Sequence, residues 1–448
     1  MSELLPTTAR LLLARTARAQ RDSRLPSLLT GIVRDGSLAW SAGRGAVDEP
    51  HTDVQYRIGS ITKTITAITV LRLRDEGLLT LDDPLDDHVP GTPFGRRTVG
   101  QLLAHNAGLR AESPGSWWER VPGTDWPTLA GQLDDDDAPH TAGRRFHYSN
   151  LGYGVLGELL ARRRSRPWTE VVRDEVLLPL GMSRTTPRPD GRAAQGWAVH
   201  PWADVVLPEP EHDAGAMAAG GQLWSTLTDL ARLGSFLLGD TGDVLAAATL
   251  EEMAEPAGVD SAAREWGAYG LGLQVVRVGD RTLVGHGGSM PGFLASVFVD
   301  RAEQLGSVVL ANATSGLDGT LAADLHEIVR AAEPFVGEPW SPTADADGLE
   351  LAGVWYWGTY SYGLRLRSDG LLDLVGLLGS GRASRFRPRG DGTFVGLDGY
   401  HAGEVLRVVR EGGRVVALDL GSFVYSRTPY DEQAPQPGGV DTGGWRAG

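Results

Sequence analysis

The alternation of apolar and polar positions changes its rhythm several times along the 448 residues. At the N-terminus, "MSELLPTTARLLLARTARAQRDSR" carries short apolar runs broken by arginine, which predicts an amphipathic helix with Leu11, Leu12, Leu13 and Ala17 on one side. Then "LLTGIVRDGSLAWSAG" (28–43) sets two strand-like runs around an Asp-Gly turn, a hairpin signal. Helical and loop segments rich in Pro, Gly and Trp follow from about 58 to 265. Strand-like runs return in "YGLGLQVVRVGDRTLVGHGG", "GFLASVFVD" and "GSVVLANAT", and "LAADLHEIVRAA" then places Leu321, Leu325, Ile328 and Val329 on one helical face. Such a chain predicts an antiparallel sheet built from both ends of the region, covered by terminal helices and interrupted by a helical insertion. That is an α+β arrangement.

Residues 333–348, "EPFVGEPWSPTADADG", are dense in proline and acidic residues and read as a linker. Beyond them the pattern is strand-like throughout: Leu364 and Leu366 alternate with Arg365 and Arg367, and short runs recur at "TFVGL", "EVLRVVR", "RVVALDL" and "SFVYSR". So many short strands predict a small closed antiparallel barrel, because closure removes exposed edges. The expected divisions are a domain over 1–335, a linker over 336–347, a barrel over 348–430 and a loose Pro/Gly-rich tail over 431–448.

Composition narrows the function classes. A net charge of −15 argues against a nucleic-acid surface and against anionic membranes. No run approaches the 18 or so apolar residues of a membrane span, and the N-terminal runs lack a signal peptide's pattern. The chain has no cysteine, which excludes disulfides, thiol catalysis and cysteine-ligated metal. Together these favour the cytoplasm. The acidic run "LDDDDAPH" (133–140) has no second ligand cluster beside it, so a solvated loop is expected there, with no metal and no cofactor.

One residue type is conspicuous. Of 42 cationic side chains a single one is lysine, Lys63, in "IGSITKTITAI". Ser60 would open a helix, and residues three apart share a helix face, so Ser60 and Lys63 would meet at its N-terminus. A serine there becomes a nucleophile if a neighbour takes its proton; lysine can act as a base when buried, whereas arginine stays charged. A surface serine and a snorkelling lysine fit those four residues as well. Two further segments change the balance: "FHYSNLGYGVLGELLA" supplies Tyr148-Ser149-Asn150 before an apolar helix, and "LVGHGGSMPG" supplies His286-Gly287-Gly288 at a strand end.

These three motifs, in this order, resemble the class C β-lactamase and D-alanyl-D-alanine carboxypeptidase family of penicillin-recognising serine hydrolases, which also holds esterases, D-amino-acid peptidases and acyltransferases. The likeness extends through "DEGLLTLDDPLDDHVPG", "TVGQLLAHNAGL" and "AGGQLWSTLTDLARLGSFLLG", and covers roughly residues 25–335. The terminal strands resemble the lipocalin-like barrels appended to some members. The resemblance implies a β-lactamase/transpeptidase-like fold and a small ester or amide substrate cleaved through an acyl-enzyme on Ser60. It implies Lys63 as proton relay, and Tyr148 as base toward Ser60 and later acid toward the leaving group. Asn150 would orient Lys63 and contact the substrate. The backbone N–H groups of Ser60 and Ser289 would form the oxyanion hole. His286, Gly287 and Gly288 would line the substrate site, with Trp117 and Trp118 as an apolar wall or as core. His105 is expected to be a satisfied buried histidine. Where β-lactamases carry Lys and Thr to engage a substrate carboxylate, this chain has His286 and Gly287, which weakens the case for penicillins. An acyltransferase and a non-catalytic sensor remain the rival readings, and the oligomeric state is open.

Overall fold

A computed structural model of the chain describes residues 4–260, 267–334, 336, 339–343, 347–379 and 381–431. The expected tail, from 432 onward, and parts of the expected linker lie outside them. Backbone contacts divide the chain into two compact units, Met1–Val336 and Gly337–Gly448.

The first unit begins with helix α1 (Pro6–Asp22) and the hairpin β1 (Ser27–Arg34) and β2 (Ser37–Gly45). Asp35 and Gly36 both adopt positive φ at its tip, as a tight Asp-Gly turn requires. The face of α1 differs from the expected one. Leu12 is buried with Thr8, Thr16 and Ala19, while Leu11 and Leu13 are exposed. Three consecutive residues span about 200° of a helix, so they cannot share one side; the spacing of four and three residues picks the buried stripe.

Helix α2 (Ile61–Asp75) is buried at every position from Ile61 to Leu71. Rich in β-branched residues, it is a poor helix in isolation, so packing holds it. Its threonines are satisfied inside the core: Thr64 Oγ1 donates to Gly272 O and Thr66 Oγ1 to Ala219 O. Helices α3 (Asn150–Arg164) and α4 (Leu227–Leu238) follow. The strands β3 (Gly258–Asp260), β4 (Gly267–Tyr269), β5 (Gln274–Val278), β6 (Arg281–Met290), β7 (Phe293–Asp300) and β8 (Leu305–Ala311) then complete an eight-stranded sheet, and α5 (Leu321–Ala332) closes the unit.

The sheet runs β2-β1-β8-β7-β6-β5-β4-β3, antiparallel throughout. Its two sequence halves meet where Leu28 faces Ala311 and Arg34 faces Leu305. On one face Leu12, Ile32, Val309 and Leu325 form a core with α1 and α5; on the other, Ile65, Phe236, Val297 and Leu310 pack with α2 and α4. Among the described residues no helix is long and apolar enough to cross a membrane.

The second unit is a closed barrel of eight strands in sequence order, β9 (Gly353–Trp357), β10 (Tyr360–Leu366), β11 (Leu372–Gly376), β12 (Ser384–Pro388), β13 (Thr393–Gly396), β14 (Val405–Glu411), β15 (Arg414–Leu420) and β16 (Phe423–Ser426). Tyr356 facing Ser426 closes it, around a core that includes Trp355, Leu364, Leu374, Phe386 and Leu418. The alternating leucines of β10 are legible in this packing.

Candidate active site

Ser60 caps α2, reached through a two-residue ladder in which Tyr56 and Arg57 face Ser225 and Trp224. Its side chain makes no capping hydrogen bond, so its hydroxyl is free for other work. Gly59 holds φ +51, and a Cβ there would lie 2.5 Å from the Ser289 amide nitrogen. A Cβ on Gly288 would lie 1.9 Å from Ile58 O. Only glycine at both positions lets strand β6 press against the start of α2. The N–H groups of Ile61, Thr62 and Lys63 are taken up by Ile58 O, Gly59 O and Ser60 O, and the contact sets the backbone of Gly288 and Ser289 beside that of Ser60.

Lys63 lies one turn on, fully buried, with Nζ 2.9 Å from Ser60 Oγ and donating to Gly220 O at 2.6 Å. Tyr148 enters from the turn before α3. Its ring centroid is 5.0 Å from Lys63 Nζ, and it shares a cavity wall with Ser60. That turn is pinned firmly: Ser149 Oγ accepts from Gly152 N–H and donates to Arg110 O, and its own N–H donates to His105 Nδ1. Asn150 Nδ2 donates to Glu112 Oε1 at 2.7 Å.

A cavity of about 530 Å³ opens on Ser60, Tyr148, His286, Gly287, Gly288 and Ser289. The ladder between β5 and β6 ends where Gly285 faces Gln274, and Gln274 Oε1 accepts the next amide, Gly287 N–H. Trp117 and Trp118 are not in the cavity lining. Trp118 is buried, its Nε1 donating to Glu112 Oε2 at 2.7 Å, whereas Trp117 is 59% exposed.

Burial decides the charges here. It pushes Lys63 down to about 7, only partly opposed by the carboxylates of Glu112 and Glu119. It pushes Tyr148 up, well above an ordinary phenol. Both groups are therefore biased to their neutral forms. His286 falls to about 3, through burial and then through nearby Lys63. Both its ring nitrogens are engaged, Nε2 with the Tyr269 hydroxyl at 3.0 Å and Nδ1 with Gly287 O. It is a neutral imidazole at neutral pH.

His105 is only half satisfied. With Nδ1 accepting from Ser149, Nε2 has no hydrogen-bond partner, and the ring lies among Tyr148, Tyr153 and Tyr269 at centroid distances of 4.2, 5.1 and 4.6 Å. An N–H pointed at aromatic faces is a weak but recurrent substitute. In the acidic run, Asp137 is buried rather than solvated, its Oδ1 accepting from Arg110 at 2.9 Å. A buried carboxylate needs such a partner. Among the described residues no cluster of three His, Asp or Glu is placed to hold a metal ion.

The structure thus gathers Ser60, Lys63, Tyr148, Asn150 and residues 286–289 from three separate segments. Sequence reading missed Gly220, whose carbonyl seats the lysine; the small-residue run "AMAAGG" was the available sign of close backbone approach. Glu112, which holds both Asn150 and Trp118, and Gln274 gave no local sign.

Comparison with known proteins bears on the family and the fold. A beta-lactamase family profile matches residues 13–331, and a domain of unknown function, DUF7586, matches residues 344–427. Beta-lactamase-like protein 2 of Dictyostelium discoideum is 28% identical over 53% of this chain and 47% of its own length. The D-alanyl-D-alanine-carboxypeptidase/endopeptidase AmpH of Escherichia coli is 33% identical over 32% of this chain and 39% of its own. The chain thus spans about half or less of the length of these curated relatives. An octameric penicillin-binding protein homologue from Pyrococcus abyssi shares the fold, with a TM-score of 0.65 at 21% identity over 93% of this chain and 99% of that one. A D-stereospecific amidohydrolase from Streptomyces gives 0.60 at 25% identity over 72% and 99%. The family match takes in the whole sheet, most of both covering helices and each of the segments that meet at Ser60, and on that extent the chain belongs to the beta-lactamase family.

Proposed function

We propose that this protein cleaves a small ester or amide through an acyl-enzyme on Ser60. The observation that carries the reading is a fully buried amine, biased to neutrality, 2.9 Å from a serine hydroxyl at a helix N-terminus. In this mechanism Lys63 Nζ takes the Ser60 proton as Oγ attacks the carbonyl carbon. The oxyanion is held by the N–H groups of Ser60 and Ser289. Tyr148 gives its proton to the departing oxygen or nitrogen and is reprotonated from Lys63. Water then enters, the same groups carry its proton in reverse, and the acid leaves. Of the two candidate bases the electrostatics favour Lys63, since burial depresses its pKa and raises that of Tyr148. Asn150, fixed by Glu112, contacts the substrate. Intact-mass measurement after exposure to activated esters, D-amino-acid amides, a fluorophosphonate and β-lactams tests this directly: one adduct on Ser60 is expected, and no adduct with any reagent overturns it.

Two further results are expected. Nitrocefin should be turned over more slowly than short-chain nitrophenyl esters, by about 10²-fold in kcat/KM. A neutral His286 and a side-chain-free Gly287 supply neither of the hydrogen bonds to a carboxylate, each worth about 1.5–3 kcal/mol. Steady-state assays with both chromogens check it. Glu112→Gln should move the acidic limb of the pH–rate profile downward. Removing the largest influence that sustains the Lys63 charge lets the amine shed its proton at lower pH. The rate of Ser60 labelling between pH 5 and 9 reads this shift.

A further inference from the structure

The cavity at Ser60 does not stop at the site; it runs over strand β6 onto the opposite face of the sheet, where Leu294, Phe298, Val309, Leu317, Leu321 and Ala322 line it. The register explains how. His286 faces Val297 on the inner side, so residue 287 projects outward, in the row Gly287–Ser296–Val309 across three strands. The rows on either side carry Leu294 and Phe298. Small side chains in the middle row therefore leave a trough floored by the sheet, walled by Leu294 and Phe298, and overhung by the start of α5. Gly287 is its sill. A Cβ there would have no atom closer than 3.7 Å, so the backbone accepts a side chain, and its absence is what keeps the passage open.

The trough lacks a charge to offer. Its one carboxylate, Asp318, is already bound by Arg15 Nη2 at 2.6 Å and by the Thr320 N–H and hydroxyl at 3.0 Å each. Among the described residues no lysine or arginine lines it, and His286 has both nitrogens engaged. Tyr148, the acid toward the leaving atom, lies on the same cavity. The group beyond that atom then passes over Gly287.

We propose that this trough is a leaving-group subsite for an uncharged apolar alcohol or amine, with Gly287 as the residue that admits it. The inference rests on the hydrolase reading of Ser60. In a series of acetate esters with alcohols from ethyl to hexyl, followed by acid release, kcat/KM should climb by up to about fourfold per methylene, the worth of one buried CH₂. Ala322→Phe, which fills the trough on α5 away from Ser60, and Gly287→Val, which closes the sill, should each flatten that climb. A climb absent in the native protein, a climb that survives both variants, or dependence on acyl length alone overturns the subsite. Ethyl fluorophosphonate labelling of Ser60 is followed in parallel. If labelling occurs and the climb does not, the subsite alone falls; if neither occurs, the hydrolase reading falls and the subsite with it.

Discussion

Ser60→Ala loses esterase turnover by on the order of 10⁴–10⁶-fold, the range seen when a serine nucleophile is removed, and melts with the native protein. The two halves of this expectation have separate physical grounds. Turnover goes because no other hydroxyl among the described residues is held 2.9 Å from Lys63 Nζ; water admitted to that place would be an unpositioned nucleophile. Stability stays because the Ser60 side chain caps nothing: α2 is held by buried contacts from Ile61 to Leu71. Residual activity is expected from the proposed oxyanion donors, which are backbone groups and survive the substitution. Nitrophenyl acetate kinetics with thermal melts check both halves. Activity within tenfold of native would show that Ser60 is not the nucleophile, and a large drop in Tm would show that the fold, rather than the chemistry, had been lost.

The parts of this fold that sequence rhythm revealed are those whose physics is local. The Asp35-Gly36 hairpin, the stripe Leu321, Leu325 and Val329 on α5, and the leucines of β10 each follow from a turn or a period a few residues long. The face of α1 was missed because its leucines are consecutive and because two of the four residues that turn inward, Thr8 and Thr16, are polar. Thr16 Oγ1 hydrogen-bonds Thr30 Oγ1 at 2.8 Å, a contact no helical period contains. Sheet order is likewise non-local: β1 finds β8 across some 280 residues, and neither strand carries a mark for the other.

The site divides in the same way. Ser60 and Lys63 are one helical turn apart, so their meeting was legible. Gly220, Glu112 and Gln274 are not, because what each contributes is one carbonyl or one carboxamide or carboxylate oxygen placed by a distant backbone. The resting charge of each group was also out of reach, since it depends on burial. That same burial makes His286, expected only as a residue lining the substrate site, a neutral ring tied to Tyr269 and its own chain.

Replacing Lys63 by arginine therefore tests more than charge. If the position needed only a cation, arginine would serve, as it does at all the other Lys/Arg positions in this chain. The expected result is a loss close to that of Lys63→Ala, about 10²–10⁴-fold in acylation, the usual worth of general acid–base assistance. Arginine cannot release a proton, and its planar fork does not fit between Ser60, Tyr148 and the Gly220 carbonyl. The native pH profile has a matching sign. In the proposed mechanism the neutral amine is the active form, so Ser60 labelling should rise through about pH 7 and level above it. Stability carries the same signature: the unfolded chain binds the Lys63 proton more tightly between about pH 7 and the ordinary value of 10.5, so stability rises with pH across that window. Lys63→Met should lack both slopes. Because arginine also differs in shape, the decisive control is Lys63→Cys alkylated with bromoethylamine, which restores a titratable amine of nearly lysine's length. The chain has no cysteine of its own, so the modification is confined to that position. The alkylated protein should recover labelling, with its pH limb moved downward by the electron-withdrawing sulfur, while the arginine variant recovers none at any pH. A fully active Lys63→Arg protein would refute the proton-relay role and leave Tyr148 as the only base in reach of Ser60.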